Sequence, residues 1–502
     1  MTHDHDLVLT PTDAQKTAAL APPPGRTGGD LVVETLRGLG VTTVFGTLGA
    51  DATDALSAAV RRSALTAWTG FATSTGAGHA ADGFGRVTGE AAALLAPEGL
   101  DPAVLREALS ASAPLIVLAT GPAAGADVKA VHEARTPSRI PTAVAEAWEA
   151  ALTAPHGPVW LELDPAALAG ETLLPEVNAP DVLPHELPPR PELTALAAHW
   201  LETAAAPLIV TGGGATRSDA AGKVKALAAR LTAPVATTLG GAGTFAGARP
   251  VTAALLESAD VLLLVGTTLA DLDFTPPARL IQIDADPARL EARHAPALGI
   301  HADARLALTA LLETAGVREA GAAAVRETGA AAREAAAAVR ETARTDHLPP
   351  PALRTEGLAA LLRQALPPRT LVFWDSPAAD FHPRHPNTLH APQSGATGYA
   401  LPAALGAATA DPDTAVLAVS GVTPSSVREL ATARELGLAV VWLVVDAPSE
   451  SELAEAAAEA GVVVVRAEAA GQAEALRKAL AAGGPAVVAI TSASLVQPSE
   501  FS

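Results

Sequence analysis

The sequence predicts an α/β protein built of three doubly wound, parallel-sheet domains of Rossmann-like type. Three observations carry this expectation. Short, continuous apolar runs alternate with helical stretches, the pattern of strands buried on both faces. The alternation stops at Pro-rich segments and restarts twice. The 502 residues amount to about three domains at roughly 150 residues each.

Taken in order, residues 1–27 are polar and then Pro-rich (Pro22-Pro-Pro-Gly25), the composition of a disordered arm. The first domain is expected over 28–180. It opens with a helix from Asp30, as cap, to Leu39, ended by Gly40. Strands follow at Val41–Gly46, Ala91–Leu95, Pro114–Ala119 and Pro158–Leu163, with helices at Thr75–Val87, Pro102–Ser110 and Ile140–Leu152 between them. Asp181 to Pro191 reads as a linker. The central domain, 190–315, should hold strands at Pro207–Thr211, Val235–Thr238, Val261–Val265 and Leu280–Asp284 and a closing helix at Ala304–Leu312. Residues 316–350 repeat Val-Arg-Glu at Val317, Val325 and Val339 in an alanine background, which predicts a long exposed helical linker. The third domain, 352–495, should hold strands at Thr370–Trp374, Ala415–Val419, Ala439–Val445, Val462–Val465 and Ala486–Ile490.

Composition narrows the function. A net charge of −20 with no basic patch repels nucleic acid and anionic lipid, so neither is an expected partner. Leu438–Val445 is the best apolar run and falls well short of the ~20 residues of a membrane span. Without cysteine there is no disulfide, thiol nucleophile or thiolate metal site. The N-terminus lacks the basic-then-apolar layout of a signal peptide, and the expected location is the cytoplasm.

Three segments then become specific: Gly76-Ala-Gly-His-Ala-Ala-Asp-Gly-Phe-Gly-Arg86-Val-Thr-Gly89, Gly398-Tyr-Ala-Leu-Pro-Ala-Ala-Leu-Gly-Ala407 and Glu429-Leu-Ala-Thr-Ala433. Weaker echoes are Gly40-Val-Thr-Thr-Val-Phe-Gly46, His156-Gly-Pro-Val-Trp-Leu-Glu-Leu163 and Ile209-Val-Thr-Gly-Gly-Gly214. Their ordered set resembles the thiamine-diphosphate enzymes of the acetolactate synthase and benzoylformate decarboxylase group, over roughly residues 28–495. The resemblance implies a pyrimidine-binding, a central and a diphosphate-binding domain, with thiamine diphosphate and Mg²⁺ as cofactors. It also implies a homodimer or dimer of dimers, since the family builds each site between one chain's first domain and its partner's third.

The family's site residues map onto altered positions. Its activating Glu, which hydrogen-bonds the cofactor's aminopyrimidine, corresponds to Ser74; a hydroxyl carries no charge at neutral pH and cannot take the proton. Some carboligases of the family also lack this Glu. The metal-binding Gly-Asp-Gly corresponds to Val419-Ser420-Gly421, and the Asn-Asn pair to Asp446-Ala447. The two ligand positions are thus Ser420 and Ala447, with Asp446 the one nearby carboxylate, either a partial metal ligand or a strand-end residue. Thr397 stands where the family often wedges an apolar residue beneath the cofactor. The long loop that covers the family's site is missing between Asp446 and the next helix (Leu453–Ala460), and the first-domain substrate loop is short. A buried diphosphate without its cation costs on the order of several kcal/mol per charge.

The resulting expectation is a pseudoenzyme, a degenerate family member with weak or no thiamine diphosphate and Mg²⁺ binding, no catalytic residue and no metal site, and Ser74, Thr397, Ser420, Gly421, Asp446 and Ala447 as its vestigial positions. It would serve a structural or regulatory role, for instance paired with an active paralogue. The alternatives are an active decarboxylase or carboligase for pyruvate or another 2-oxo acid, and a cleft that takes a different small molecule. Relatives hold FAD in the central domain, which nothing here specifies. Lesser features read as structural: the three histidines of Phe381–His390 as a polar loop rather than a zinc site, His79 as a core histidine, Gly212-Gly-Gly214 as a tight turn, and Arg86 as an ion-pair anchor.

Overall fold

The computed structural model describes residues 25–491 except 48–54, 63–66, 97–99, 175–176, 178–182, 243, 245–247, 270–271, 293, 317–350, 376–380, 382, 384, 386, 448–449 and 468–470. Residues 1–24 of the expected arm and nearly all of the Ala-rich linker lie outside the described residues, whereas residues 25–27 belong to the fold: Arg26 is buried and pairs with Glu34, and Thr27 caps the first helix.

The chain forms three six-stranded sheets. The first contains β1 (Thr43–Thr47), β2 (Ala67–Phe71), β3 (Ala92–Leu95), β4 (Leu115–Ala119), β5 (Ala130–Ala134) and β6 (Pro158–Leu163). The second contains β7 (Pro207–Thr211), β8 (Val235–Thr237), β9 (Arg249–Pro250), β10 (Val261–Val265), β11 (Arg279–Asp284) and β12 (Leu298–His301). The third contains β13 (Leu371–Trp374), β14 (Leu389–His390), β15 (Val416–Ser420), β16 (Val440–Val445), β17 (Val463–Arg466) and β18 (Ala486–Ile490). All pairings are parallel. The first and third sheets share one topology, β2-β1-β3-β4-β6-β5 and β14-β13-β15-β16-β18-β17. The central sheet runs β9-β8-β7-β10-β11-β12, the dinucleotide-fold order.

The apolar runs became inner strands because they bury both faces: every residue of β4, β7, β10 and β15 is buried. The sequence predicts neither the edge strand β2 nor the edge strands β5, β9, β12 and β14. They are short or alternate between exposed and buried, as β5 does with Val131 53% exposed, so no continuous apolar run marks them. One local expectation needs correcting. The first helix is Gly28–Gly38, and its cap is Thr27 rather than Asp30. Asp30 sits three residues in, where its carboxylate accepts from the Thr27 N–H at 2.8 Å, the reciprocal arrangement of a capping box.

The first and third domains share one hydrophobic core, whereas the central domain has cores of its own. The join is a crossing of two helices, Ser74–Thr88 and Ala400–Ala410. A Cβ at Gly83 would strike the Ala403 carbonyl, and one at Gly406 the Ala80 carbonyl. Glycine is poor in helix interiors, so this helix depends on the packing that its glycines permit. Among the described residues no helix is long and apolar enough to cross a membrane.

Candidate functional site

In doubly wound sheets, ligands sit at the carboxyl ends of the strands where strand order reverses. In the third domain that point lies between β13 and β15, at Trp374-Asp375 and Ser420-Gly421. Asp375 is committed to structure: its carboxylate accepts from Gly398 N at 2.9 Å and Ala400 N at 2.7 Å, capping the start of the Ala400–Ala410 helix. Burial pushes its pKa up, against the pull of these N–H groups. No role for Asp375 follows from the sequence; an acidic residue at a strand end ahead of a Gly-led helix was the available signal.

Ser420, the last residue of β15, is 6% exposed. Its hydroxyl accepts from the Trp442 indole N–H at 2.9 Å and donates to the Gly421 carbonyl at 3.0 Å. Trp442 reaches it from β16, next to β15 in the sheet. A cation at Ser420 would therefore meet the positive end of an indole N–H. Asp446 follows β16 with a left-handed backbone (φ 52°); it is exposed, and its N–H donates to Ile490 O at 3.0 Å. Ala447 is half-buried against the shared core. The next helix begins at Glu450, immediately after this turn. Thr397 and Gly421 are exposed. Thr423 caps the Pro424–Glu435 helix, accepting from Ser426 N at 3.1 Å, and its hydroxyl also lies 2.6 Å from Ser426 Oγ. Among the described residues no group of His, Asp or Glu is placed to hold a metal ion. With a hydroxyl already engaged at 420 and a methyl group at 447, these residues do not fit the implied Mg²⁺-diphosphate clamp, which needs hard oxygen ligands.

Ser74 is exposed at the start of its helix, and among the described residues it has no hydrogen bond to any of these groups. A carboxylate does stand beside it, but from the third domain. Glu429 accepts from Ala72 N at 3.2 Å, Thr73 Oγ1 at 2.9 Å and Thr432 Oγ1 at 2.7 Å. Glu429 is fully buried, and burial raises its pKa despite the three donors. It ties the Pro424–Glu435 helix to the Ser74–Thr88 helix. The sequence reading used Glu429 only as a landmark, because a contact between positions 357 residues apart has no local signal.

Below Ser74 the crossing encloses a charged cluster. Arg86 lies 2.8 Å from Asp82, in charge contact rather than an aligned hydrogen bond. It pairs with Glu107 at 2.5 Å, donates to the third domain's Ala391 O at 2.8 Å and stacks over Tyr399 at 4.9 Å. Glu107 in turn accepts from Gln393 N and Ser394 N, both at 2.7 Å. Arg86 is thus an anchor between domains, a wider role than an ion pair within the first. His79 is 2% exposed and meets Tyr399 edge-on at 5.3 Å; burial pushes it down to about 4. Of the three loop histidines, His382 lies outside the described residues, and His390 is buried, stacked on Phe373 at 4.7 Å. Gly212-Gly213-Gly214 is not a tight turn: Gly212 caps and Gly213 and Gly214 open the Gly213–Arg217 helix, whose backbone packs on Gly266, where a Cβ at 212 or 214 would collide.

Known proteins agree with this architecture. Three family models match: the N-terminal TPP binding domain of thiamine pyrophosphate enzymes over residues 26–136, the central domain over 194–311, and the C-terminal TPP binding domain over 376–449. The acetolactate synthase large subunit of Corynebacterium glutamicum is 27% identical over 467 residues, covering 82% of this chain and 73% of that one. The glyoxylate carboligase of Escherichia coli O157:H7 is 26% identical over 443 residues, covering 78% and 74%. Benzoylformate decarboxylase from Polynucleobacter necessarius superimposes with a TM-score of 0.74 at 20% identity, over 93% of this chain and 98% of that one, a likeness of fold. The three matched models in family order, on three parallel sheets, place the chain in the thiamine pyrophosphate enzyme family.

Proposed function

We propose that this chain is a degenerate member of its family, binding thiamine diphosphate with Mg²⁺ weakly or not at all, and that it acts as a structural or regulatory protein. The observation that carries this reading is the Trp442 N–H donating to Ser420 Oγ. The indole donor takes one of the hydroxyl's two lone pairs, and its positive N–H end opposes a cation at the other. Ser74 and Ala447 point the same way, having neither charge nor amide to offer. A diphosphate brought here without its cation is repelled by the exposed carboxylate of Asp446 after β16. The large surface of the first and third domains is then available for pairing, as a homodimer, a dimer of dimers or a complex with an active paralogue.

Calorimetry of the full chain with thiamine diphosphate and Mg²⁺ tests this reading. Absence of micromolar binding is expected, together with Mg²⁺-dependent binding by the Ser74→Glu, Ser420→Asp, Ala447→Asn triple variant. Micromolar binding by the unaltered chain, or CO₂ release from pyruvate in its presence, refutes it. The second of these outcomes would support the alternative of a 2-oxo acid decarboxylase or carboligase, the chemistry named for its relatives.

A further inference from the structure

The central sheet has its own reversal of strand order, between β7 and β10, at Thr211-Gly212 and Val265-Gly266. A cavity of ≈ 60 Å³ lies at that point, and Ser112 and His156 of the first domain form one of its walls. Facing them are Arg217, Ser218, Asp284 and Arg289 of the central domain.

Two of these groups present an unbonded buried oxygen to the cavity. Asp284 is 6% exposed; its Oδ1 accepts from Asp286 N at 3.0 Å, while Oδ2 is buried with no hydrogen bond. Ser218 Oγ is likewise buried and unbonded. The Arg217 guanidinium folds back over Gly213, and among the described residues it has no hydrogen bond or ion pair. The other two polar walls are committed. Arg289 lies 3.5 Å from Asp286 and donates to Ser110 O at 3.5 Å, and His156 is held by the Leu152 carbonyl. Buried polar groups in native folds are nearly always paired. Two buried, unbonded oxygens, Asp284 Oδ2 and Ser218 Oγ, beside a half-buried guanidinium that attracts Asp284, suit a partner carrying both an anionic group and a donor.

Size restricts that partner. At roughly 10–15 Å³ per water centre, the cavity has room for about four to six non-hydrogen atoms. We propose that it is a binding site for a compact carboxylate with a hydrogen-bond donor on the adjacent carbon, an α-amino or α-hydroxy acid of about six heavy atoms. The carboxylate takes Arg217, the donor takes Asp284 Oδ2, and Ser218 Oγ bonds either. Because the walls come from two domains, occupancy favours their docked arrangement by mass action. The site is separate from the third-domain strand ends, so its test is independent of thiamine diphosphate.

Calorimetry of the full-length chain with L-alanine, L-lactate, acetate and ethylamine tests the proposal. L-alanine or L-lactate should bind at least about tenfold more tightly than acetate and ethylamine, and preference between the first two tells an ammonium donor from a hydroxyl. Arg217→Met and the near-isosteric Ser218→Ala should each weaken binding by about tenfold, with circular dichroism confirming an intact fold. The proposal is overturned if none of the four binds at millimolar concentration, if acetate binds as well as the donors' acids, if Arg217→Met leaves affinity unchanged, or if the cavity takes only an adenine nucleotide.

Discussion

The crossing of the Ser74–Thr88 and Ala400–Ala410 helices and the rim formed by Thr397, Gly421 and Asp446 lie in the same pair of domains, yet they are built on different physics. At the crossing, two backbones touch where glycines leave no side chain, and an Arg86 network ties the surfaces together. At the rim, side chains are exposed and a Cβ at Gly421 would meet nothing. Close packing tolerates almost no change in volume. A ligand rim can exchange its chemistry without disturbing the fold beneath it. A chain can therefore keep the architecture of a cofactor enzyme whatever chemistry its rim positions carry.

The sharpest way to break this comparison is a matched pair of substitutions. Gly406→Ala should cost about 3 kcal/mol or more, since its methyl group overlaps the Ala80 carbonyl and both helices must move apart. Gly421→Ala should change stability by no more than about 0.5 kcal/mol. Urea denaturation measures both, and equal effects would erase the distinction between crossing and rim.

The next effect is electrostatic. His390 is buried, and burial first, then the Arg86 charge, push it down to about 3. Its folded value lies below its ordinary one, so the unfolded chain takes up this proton first. The stability it contributes is complete above about pH 6.5 and is lost as pH falls from 6.5 toward 3, at up to about 1.4 kcal/mol per pH unit. Asp82, pushed up to about 6 by burial, acts in the opposite sense between 6 and its ordinary 3.8. The informative quantity is therefore the difference between the native chain and His390→Gln. The variant's denaturation midpoint should fall less steeply with acid below pH 6.5, and parallel curves would contradict the assignment.

The smallest effects separate the rim positions from one another. Ser420→Ala leaves the Trp442 N–H buried and unpaired and should cost about 1–3 kcal/mol. Thr397→Ala, at an exposed position, should stay within about 0.5 kcal/mol. Thermal melting resolves the pair, and a neutral Ser420→Ala would show that the indole bond contributes nothing.

Much of this was legible before the structure. The inner strands were readable because parallel strands buried on both faces must be continuously apolar, as Leu115–Ala119 and Val261–Val265 are. Of the edge strands only β17 was readable, from its run Val462–Val465, because a half-exposed strand such as Ala130–Ala134 carries only a weak alternation. Within the candidate site, Ser74, Ser420 and Ala447 could be placed by counting from neighbouring motifs. Their environments could not, since Trp442 reaches Ser420 across a sheet and Glu429 reaches Thr73 across two domains.

By itself, then, the sequence determined the three-domain α/β plan and the residue types at the positions Ser74, Thr397, Ser420, Gly421, Asp446 and Ala447, because both are written in local order and spacing. Only the tertiary structure decided that Ser420 faces an indole donor, that Asp375 and Glu429 are consumed in capping and bridging, and that Arg217, Ser218 and Asp284 meet in one cavity. Such facts depend on which strand ends and helices come together in space, and folding sets that through burial and hydrogen bonding between segments hundreds of residues apart.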